Sequence, residues 1–239
     1  MDIIKDEIET LKIENPELER LIGGIPIPSL ILVEGENDTG KSVLIQHFVW
    51  SALKQGKKVS YITTENTIRS LLDQMKNLTW DVTTFFLQGR LRILPLHIKE
   101  VNWNEEVAKY FLLTLMSYIK VADDSQVVVI DSLSYIMTFA NVKDTLSFFS
   151  EARNLVDQER KCMLMSIHPF VLDSNMMTRI RSICDGHITL VKKLMGGNTV
   201  RMVEVAKMRG AKKSTSNLIS FEVDPNFGIR VVPISQARA

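Results

Sequence analysis

The sequence predicts an α/β fold, a mostly parallel sheet flanked by helices and extended at its C-terminal end by antiparallel strands. Three observations predict it. Short apolar runs alternate with amphipathic helical stretches from residue 30 to residue 182. Val127-Val128-Val129-Ile130 is an unbroken β-branched run, the mark of a central parallel strand covered on both faces. After Asp185 the helical period gives way to strand pairs around turn residues. The 239 residues, 45% of them hydrophobic, suffice for one large core, and residues 1–239 read as a single domain with 1–22 as an N-terminal lead-in.

Each element has its own signal. Residues 1–22 alternate Ile or Leu with Glu and Lys, and are expected to lie against the core or a neighbouring subunit until Gly23-Gly24-Ile25-Pro26 ends them. A strand is expected at 30–34. The helix at 41–55 places Val43, Leu44, Phe48 and Ala52 on one face, with Gly56 where a C-cap glycine belongs. A strand at 59–63 is followed by a helix from about Thr67 to Lys76, with Ile68, Leu71, Leu72 and Met75 inward. Next come the strand Leu91–Leu94 and a long helix at about 104–120, opened by Asn104 with Glu105 and Glu106 in its first turn. The strand at 127–130, a helix at 144–159, the strand 163–167 and a short helix near 174–182 complete the alternation. Two hairpins follow: 188–194 with 199–206 around Met195-Gly196-Gly197-Asn198, and 218–223 with 229–232 around Asp224-Pro225-Asn226-Phe227-Gly228.

Between the first core strand and its helix, Gly35-Glu36-Asn37-Asp38-Thr39-Gly40-Lys41-Ser42 fits GxxxxGK[ST]. A glycine-bearing loop that opens a helix points backbone N–H groups into one concavity, where the helix dipole adds to the attraction for phosphate. Gly35 and Gly40 allow the turn; Asn37, Asp38, Thr39 and Val43 complete the cradle. Lys41 would reach the β- and γ-phosphates, and Ser42 would offer its hydroxyl to Mg²⁺. Glu36 and Asp38 are unusual in an anion-binding loop and are expected to point outward.

The rest of a nucleotide site is sought at other strand ends. Asp131 closes the run Val127–Ile130 and is expected to be the second metal-site acid, on a strand lying beside the loop. Glu65, after the strand 59–63, is a candidate base or water-positioning group, or an exposed carboxylate at a strand end. His168 either reads the γ-phosphate or is a loop residue before Pro169. Lys207 and Arg209 alternate at period two and share a face. They suit either a finger completing a neighbour's phosphate site or a solvated basic edge strand.

Composition narrows the partners. Twenty-nine basic and 28 acidic residues leave a formal net charge of +1, without the basic excess of dedicated nucleic-acid binders. Cys162 and Cys184 form no CxxC and are expected to be buried small hydrophobes in a reducing cytosol. No apolar run approaches a membrane span and the start is too acidic for a signal peptide, so a soluble cytoplasmic protein is expected, with membrane association only through partners.

Taken together, the stretch Leu21–Pro26, the phosphate loop, Thr64-Glu65, Val129-Ile130-Asp131-Ser132 and Lys207-Met208-Arg209-Gly210 resemble, in order, the RecA-type P-loop ATPases and among them the KaiC-like family, over residues 20 to about 232. Ile62–Thr67 running to Gln74-Met75, and Gly89–Pro95, resemble one branch of that family, the accessory ATP-binding proteins of the archaeal flagellum (archaellum) motor. The resemblance implies a RecA-like core that binds ATP and a homo-oligomeric ring, hexameric in expectation. That ring would lie at the cytoplasmic face of the motor and dock on the motor ATPase and a scaffold protein. Where KaiC-like ATPases often carry a second glutamate, this chain has Asn66, which implies tight ATP binding with slow or negligible hydrolysis. The alternatives are a DNA-binding recombinase or repair ATPase, using basic loops at Asn141–Thr145 and Phe170–Arg181, and an autokinase modifying Thr63, Thr64 or a nearby hydroxyl.

Overall fold

The computed structural model describes residues 9–121, 124–195, 198–211 and 218–232. Residues 1–8 of the lead-in and the Gly196-Gly197 turn expected in the first hairpin lie outside the described residues. From residue 9 the lead-in forms β1 (Glu9–Leu11), α1 (Pro16–Ile22) and β2 (Ile25–Ile27). The Asn15 side chain caps α1 by accepting from the Glu17 and Leu18 N–H groups, and Gly23 ends it with φ 79°. β1 pairs antiparallel with β2, and Leu11, Ile13, Leu18 and Ile22 are buried against the chain's own core.

The core continues as β3 (Ser29–Gly35), α2 (Lys41–Lys54), β4 (Val59–Thr63), α3 (Ile68–Asn77), α4 (Thr83–Leu87), β5 (Leu91–Pro95), α5 (Glu105–Val121), β6 (Val127–Asp131), α6 (Ser134–Met137), α7 (Val142–Glu159), β7 (Cys162–Ile167) and α8 (Ser174–Ile183). The hairpins β8 (Gly186–Met195) with β9 (Asn198–Met208), and β10 (Leu218–Asp224) with β11 (Gly228–Val232), follow. One nine-stranded sheet results, in the order β11-β10-β9-β8-β3-β7-β6-β4-β5. Every pairing from β8 through β5 is parallel, and the pairings from β11 to β8 are antiparallel.

Period-two alternation divides the core into two layers. Val127 and Val129 face α2 and α3, whereas Val128 and Ile130 face α5, α7 and α8. Four apolar positions in a row are therefore all buried, two on each side of the sheet. The inward faces of the long helices match the spacing, with Leu44, Phe48 and Ala52 buried on α2 and Ala108, Leu112, Leu115 and Ile119 on α5.

Three expectations change. First, β6 is not the neighbour of β3: β7 stands between them, hydrogen-bonded to both. Asp131 thus sits two strands from the phosphate loop, because the order of parallel strands is set by how crossovers pack and not by succession in sequence. Second, Asn141–Thr145 is no loop, since the Asn141 side chain accepts from Asp144 N–H and caps α7. Most of Phe170–Arg181 is α8, capped by Asp173. Neither stretch is the basic loop that a DNA-handling reading needs. Third, α4 and α6 are only 5 and 4 residues long, too short for a helical period to register in the sequence.

Candidate functional site

The loop Gly35–Ser42 joins the C-terminal end of β3 to the N-terminus of α2. Two of its features exclude a side chain. A Cβ on Gly35 would lie 2.6 Å from Thr39 Oγ1 and 2.9 Å from the Leu190 carbonyl oxygen. Gly40 has φ 95°, and its Cβ would meet the Phe221 ring at 3.0 Å. Thr39 Oγ1 donates to the Glu36 carbonyl at 2.7 Å, and Lys41 Nζ donates to the same oxygen at 2.8 Å. Asp38 takes φ 60°, and its carbonyl accepts from Arg201 Nε at 3.0 Å. Glu36, Asn37 and Asp38 are exposed, so the two carboxylate residues lie on the rim, as expected. Ser42 is half-buried in the first turn of α2, and Val43 packs against the core. Burial lowers the pKa of Lys41, against the opposing pull of Glu65, Asp131, Asp38 and Glu36.

Asp131 is 1% exposed, and each of its carboxylate oxygens accepts one hydrogen bond. Tyr61 OH donates to its Oδ2 at 2.7 Å and Ser166 Oγ to its Oδ1 at 2.6 Å. Burial first, and then Asp131, raise the Tyr61 pKa well above its ordinary value, so the phenol keeps the proton it donates. The Asp131-Ser132 peptide is cis. Strand ends are stitched together here: Thr64 N–H donates to the Asp131 carbonyl at 3.1 Å, and Leu133 N–H to the Ser166 carbonyl at 3.0 Å. His168 N–H donates to Ser134 Oγ at 2.9 Å.

Glu65 is exposed as a residue, but its Oε1 accepts from Ser132 Oγ at 3.0 Å. Its pKa is raised by partial burial and then by Asp131, against the Ser132 bond and Lys41. Lys41, Glu65, Ser132 and His168 line one cleft of ≈ 500 Å³, with Asn37, Thr64 and the apolar wall of Ile98, Tyr135 and Val171. Asn66 turns away, its Oδ1 accepting from Ser70 Oγ at 3.0 Å and Gln74 Nε2 at 2.7 Å on α3. Thr63 is buried, and its Oγ1 accepts from the Glu65 and Asn66 N–H groups at 3.1 Å each.

Lys207 and Arg209 are not among the cleft's lining residues. Lys207 Nζ donates to the carbonyls at the C-terminal end of α8, Arg181 at 3.0 Å and Ser182 at 3.3 Å, and also to Cys184. Its pKa is lowered by burial and then by Arg209. Arg209 Nη1 lies 3.8 Å from Asp185 Oδ1. Both cations engage their own chain, a third arrangement beside the finger and the solvated edge.

Several contributors carry no sequence signal of their own. Tyr61 and Ser166 on Asp131, and Arg201 and Phe221 against the loop, come from four different strands. Ser132 and Thr64 stand in the motifs quoted from the sequence, but their bonds to Glu65 and to each other show only in the fold.

Comparison with known proteins places the fold in a family. The family model of the KaiC ATPase matches residues 11–236. The chain is 41% identical over 225 residues to the archaeal flagellar ATP-binding protein FlaH of Sulfolobus acidocaldarius, covering 94% of this chain and 97% of that one. It is 28% identical over 232 residues to FlaH of Methanocaldococcus jannaschii, covering 94% and 96%. The crystal structure of the flagellar accessory protein FlaH from Methanocaldococcus jannaschii superposes with a TM-score of 0.80 at 27% identity, over 95% of this chain and 100% of that one. A KaiC-like protein of Pyrococcus horikoshii shares the fold, with a TM-score of 0.75 at 22% identity over 95% of this chain and 100% of that one.

Proposed function

This chain belongs to the KaiC ATPase family, with its RecA-like fold, and within it to the FlaH branch, and from that premise we propose that it is an ATP-binding component of the archaeal flagellar motor that holds nucleotide far longer than it cleaves it. The observation that carries the reading is the cleft in which Lys41, Glu65 and Ser132 meet beside the phosphate loop. The residues fit a magnesium nucleotide. Half-buried Lys41 and Ser42 stand at the N-terminus of α2, and Lys41 lines the open cleft, a cation and an oxygen donor of the kinds that a phosphate and its Mg²⁺ take. Gly35 to Val43 would hold the phosphates, and Ser42 and Asp131 the Mg²⁺ and its water shell. The metal would offset phosphate charge. Glu65, with its raised pKa and its bond from Ser132, would orient or deprotonate a water. Asn66, bonded to α3 and carrying no carboxylate, would give no help.

Assembly follows from the same site. A hexameric ring would form on the cytoplasmic side of the motor and dock on its ATPase and a scaffold protein; the names of its FlaH relatives support the flagellar ATP-binding part of this role. For Lys207 and Arg209 to reach a neighbour's phosphates, each must exchange its present partners on α8 and Asp185. No helix among the described residues is long and apolar enough to cross a membrane.

Titration calorimetry with ATP and Mg²⁺ on wild type and Lys41→Ala, followed by size-exclusion with and without ATP, tests the reading. Wild type should bind and assemble, and Lys41→Ala should do neither. Turnover at the roughly 1 to 10³ s⁻¹ of ordinary enzymes, or an elution profile indifferent to ATP, would overturn it.

A further inference from the structure

Buried Glu34 and His187 meet the partly exposed Arg181 in a polar cluster that the nucleotide site as described does not use. Glu34 is 1% exposed and immediately precedes Gly35. Its parity with Leu30 and Leu32 turns it to the α7 and α8 face of the sheet, opposite α2. Arg181 Nε and Nη2 hold its two oxygens at 2.7 and 2.6 Å, and His187 Nε2 lies 2.8 Å from Oε1. β3 does not need this for its own placement, being paired along its length with β7 and β8. What the pair adds is a directional grip on α8.

α8 otherwise packs through Met176, Met177 and Ile180, two of them flexible thioethers that fill space without fixing a register. Its polar anchors lie at the C-terminal end, Arg181 on Glu34 and Lys207 on the last carbonyls. Its N-terminal end, capped by Asp173, emerges from residues 168–173, which bring His168 and Val171 to the cleft. Held by Glu34 at the root of the phosphate loop, α8 therefore leads at its N-terminal end into the part of the cleft wall formed by His168 and Val171.

We propose that Arg181 is a positioning residue for this wall: by gripping Glu34 it sets α8, and through α8 the segment 168–173 that tells a nucleoside triphosphate from a diphosphate. The proposal rests on the ATP-binding reading above. A lysine at 181 would keep the charge but lose the fork, so it replaces the arginine only in part.

Affinities for ATP and for ADP, each with Mg²⁺, measured by calorimetry on wild type, Arg181→Met, His168→Ala and the double variant, test it. Wild type should prefer ATP. Arg181→Met and His168→Ala should each lose about tenfold in ATP affinity, the worth of one hydrogen bond to a charged oxygen, with ADP affinity unchanged. The double variant should be no weaker than either, because both act on one segment. Parallel losses for ATP and ADP, an unchanged ATP affinity in Arg181→Met, or additive losses would overturn it. Should Arg181→Met fail to fold, Arg181→Lys must show a smaller loss confined to ATP, and no change there would equally overturn it. Absence of any nucleotide binding by wild type is a different result, and defeats the ATP reading itself.

Discussion

Glu34 should make the stability of this protein depend on pH in a calculable way. Burial by itself would raise its carboxyl, but the bonds from Arg181 and His187 outweigh burial and hold the pKa down at about 2, against an ordinary 4.5. A depressed folded pKa contributes stability that is present in full above the unfolded value and is lost as pH falls through 4.5 toward 2. At about 1.36 kcal/mol per pH unit, the whole displacement is worth about 3 kcal/mol. Between about pH 7 and about pH 3.5 only the unfolded chain takes up the proton, so about 1.4 kcal/mol of that is lost. Glu34→Gln keeps the shape and cannot titrate. Urea unfolding of both proteins at the two pH values, each in the His187→Gln background so that no neighbouring imidazole titrates, compares them with every other carboxylate in common. The excess stability of the protein with Glu34 over Glu34→Gln should shrink by about 1.4 kcal/mol on acidification. A gap that stays constant, or widens, would refute the assignment of this carboxylate as a buried ionised partner of Arg181.

Tyr61→Phe removes one of the two hydroxyls bonded to buried Asp131; it should cost about 1–3 kcal/mol of unfolding free energy, and an unchanged denaturation midpoint would count against the bond. Gly35→Ala forces a Cβ to within 2.9 Å of the Leu190 carbonyl, which the sheet holds in place. It should destabilise by about 1–3 kcal/mol and weaken ATP binding in calorimetry. Lys207→Met strips the last carbonyls of α8 of their donor, at a cost of about 1 kcal/mol in thermal or urea unfolding. A variant as stable as wild type would mean that Lys207 is already free for a neighbouring subunit.

Local chemistry is legible wherever a pattern is contiguous. Gly35–Ser42 announces the loop because its glycines, lysine and serine act within one turn of backbone, and the unbroken apolar run Val127–Ile130 announces a doubly covered strand for the same reason. The core helices and both C-terminal hairpins follow from periods of 3.6 and 2. Asp131 and Glu65 are found because strand ends in such folds converge on one edge. The short helices α4 and α6 escape, having less than two turns in which a period can show.

Position across the sheet is another matter. That β7 separates β3 from β6, that Tyr61 and Ser166 hold Asp131, and that Arg181 reaches Glu34 from 147 residues away are facts of strand order and helix docking. Lys207 shows the difference most sharply. Its spacing from Arg209 told only that the two share a face, whereas folding brought the end of α8 to that face and gave the ammonium three carbonyls of its own chain. Local conformations and the phosphate loop are written into neighbouring residues, because backbone geometry and side-chain periodicity act over a few positions. Which distant charges meet depends on which strands pair and which helix packs over their ends, and so it emerges with the assembled fold.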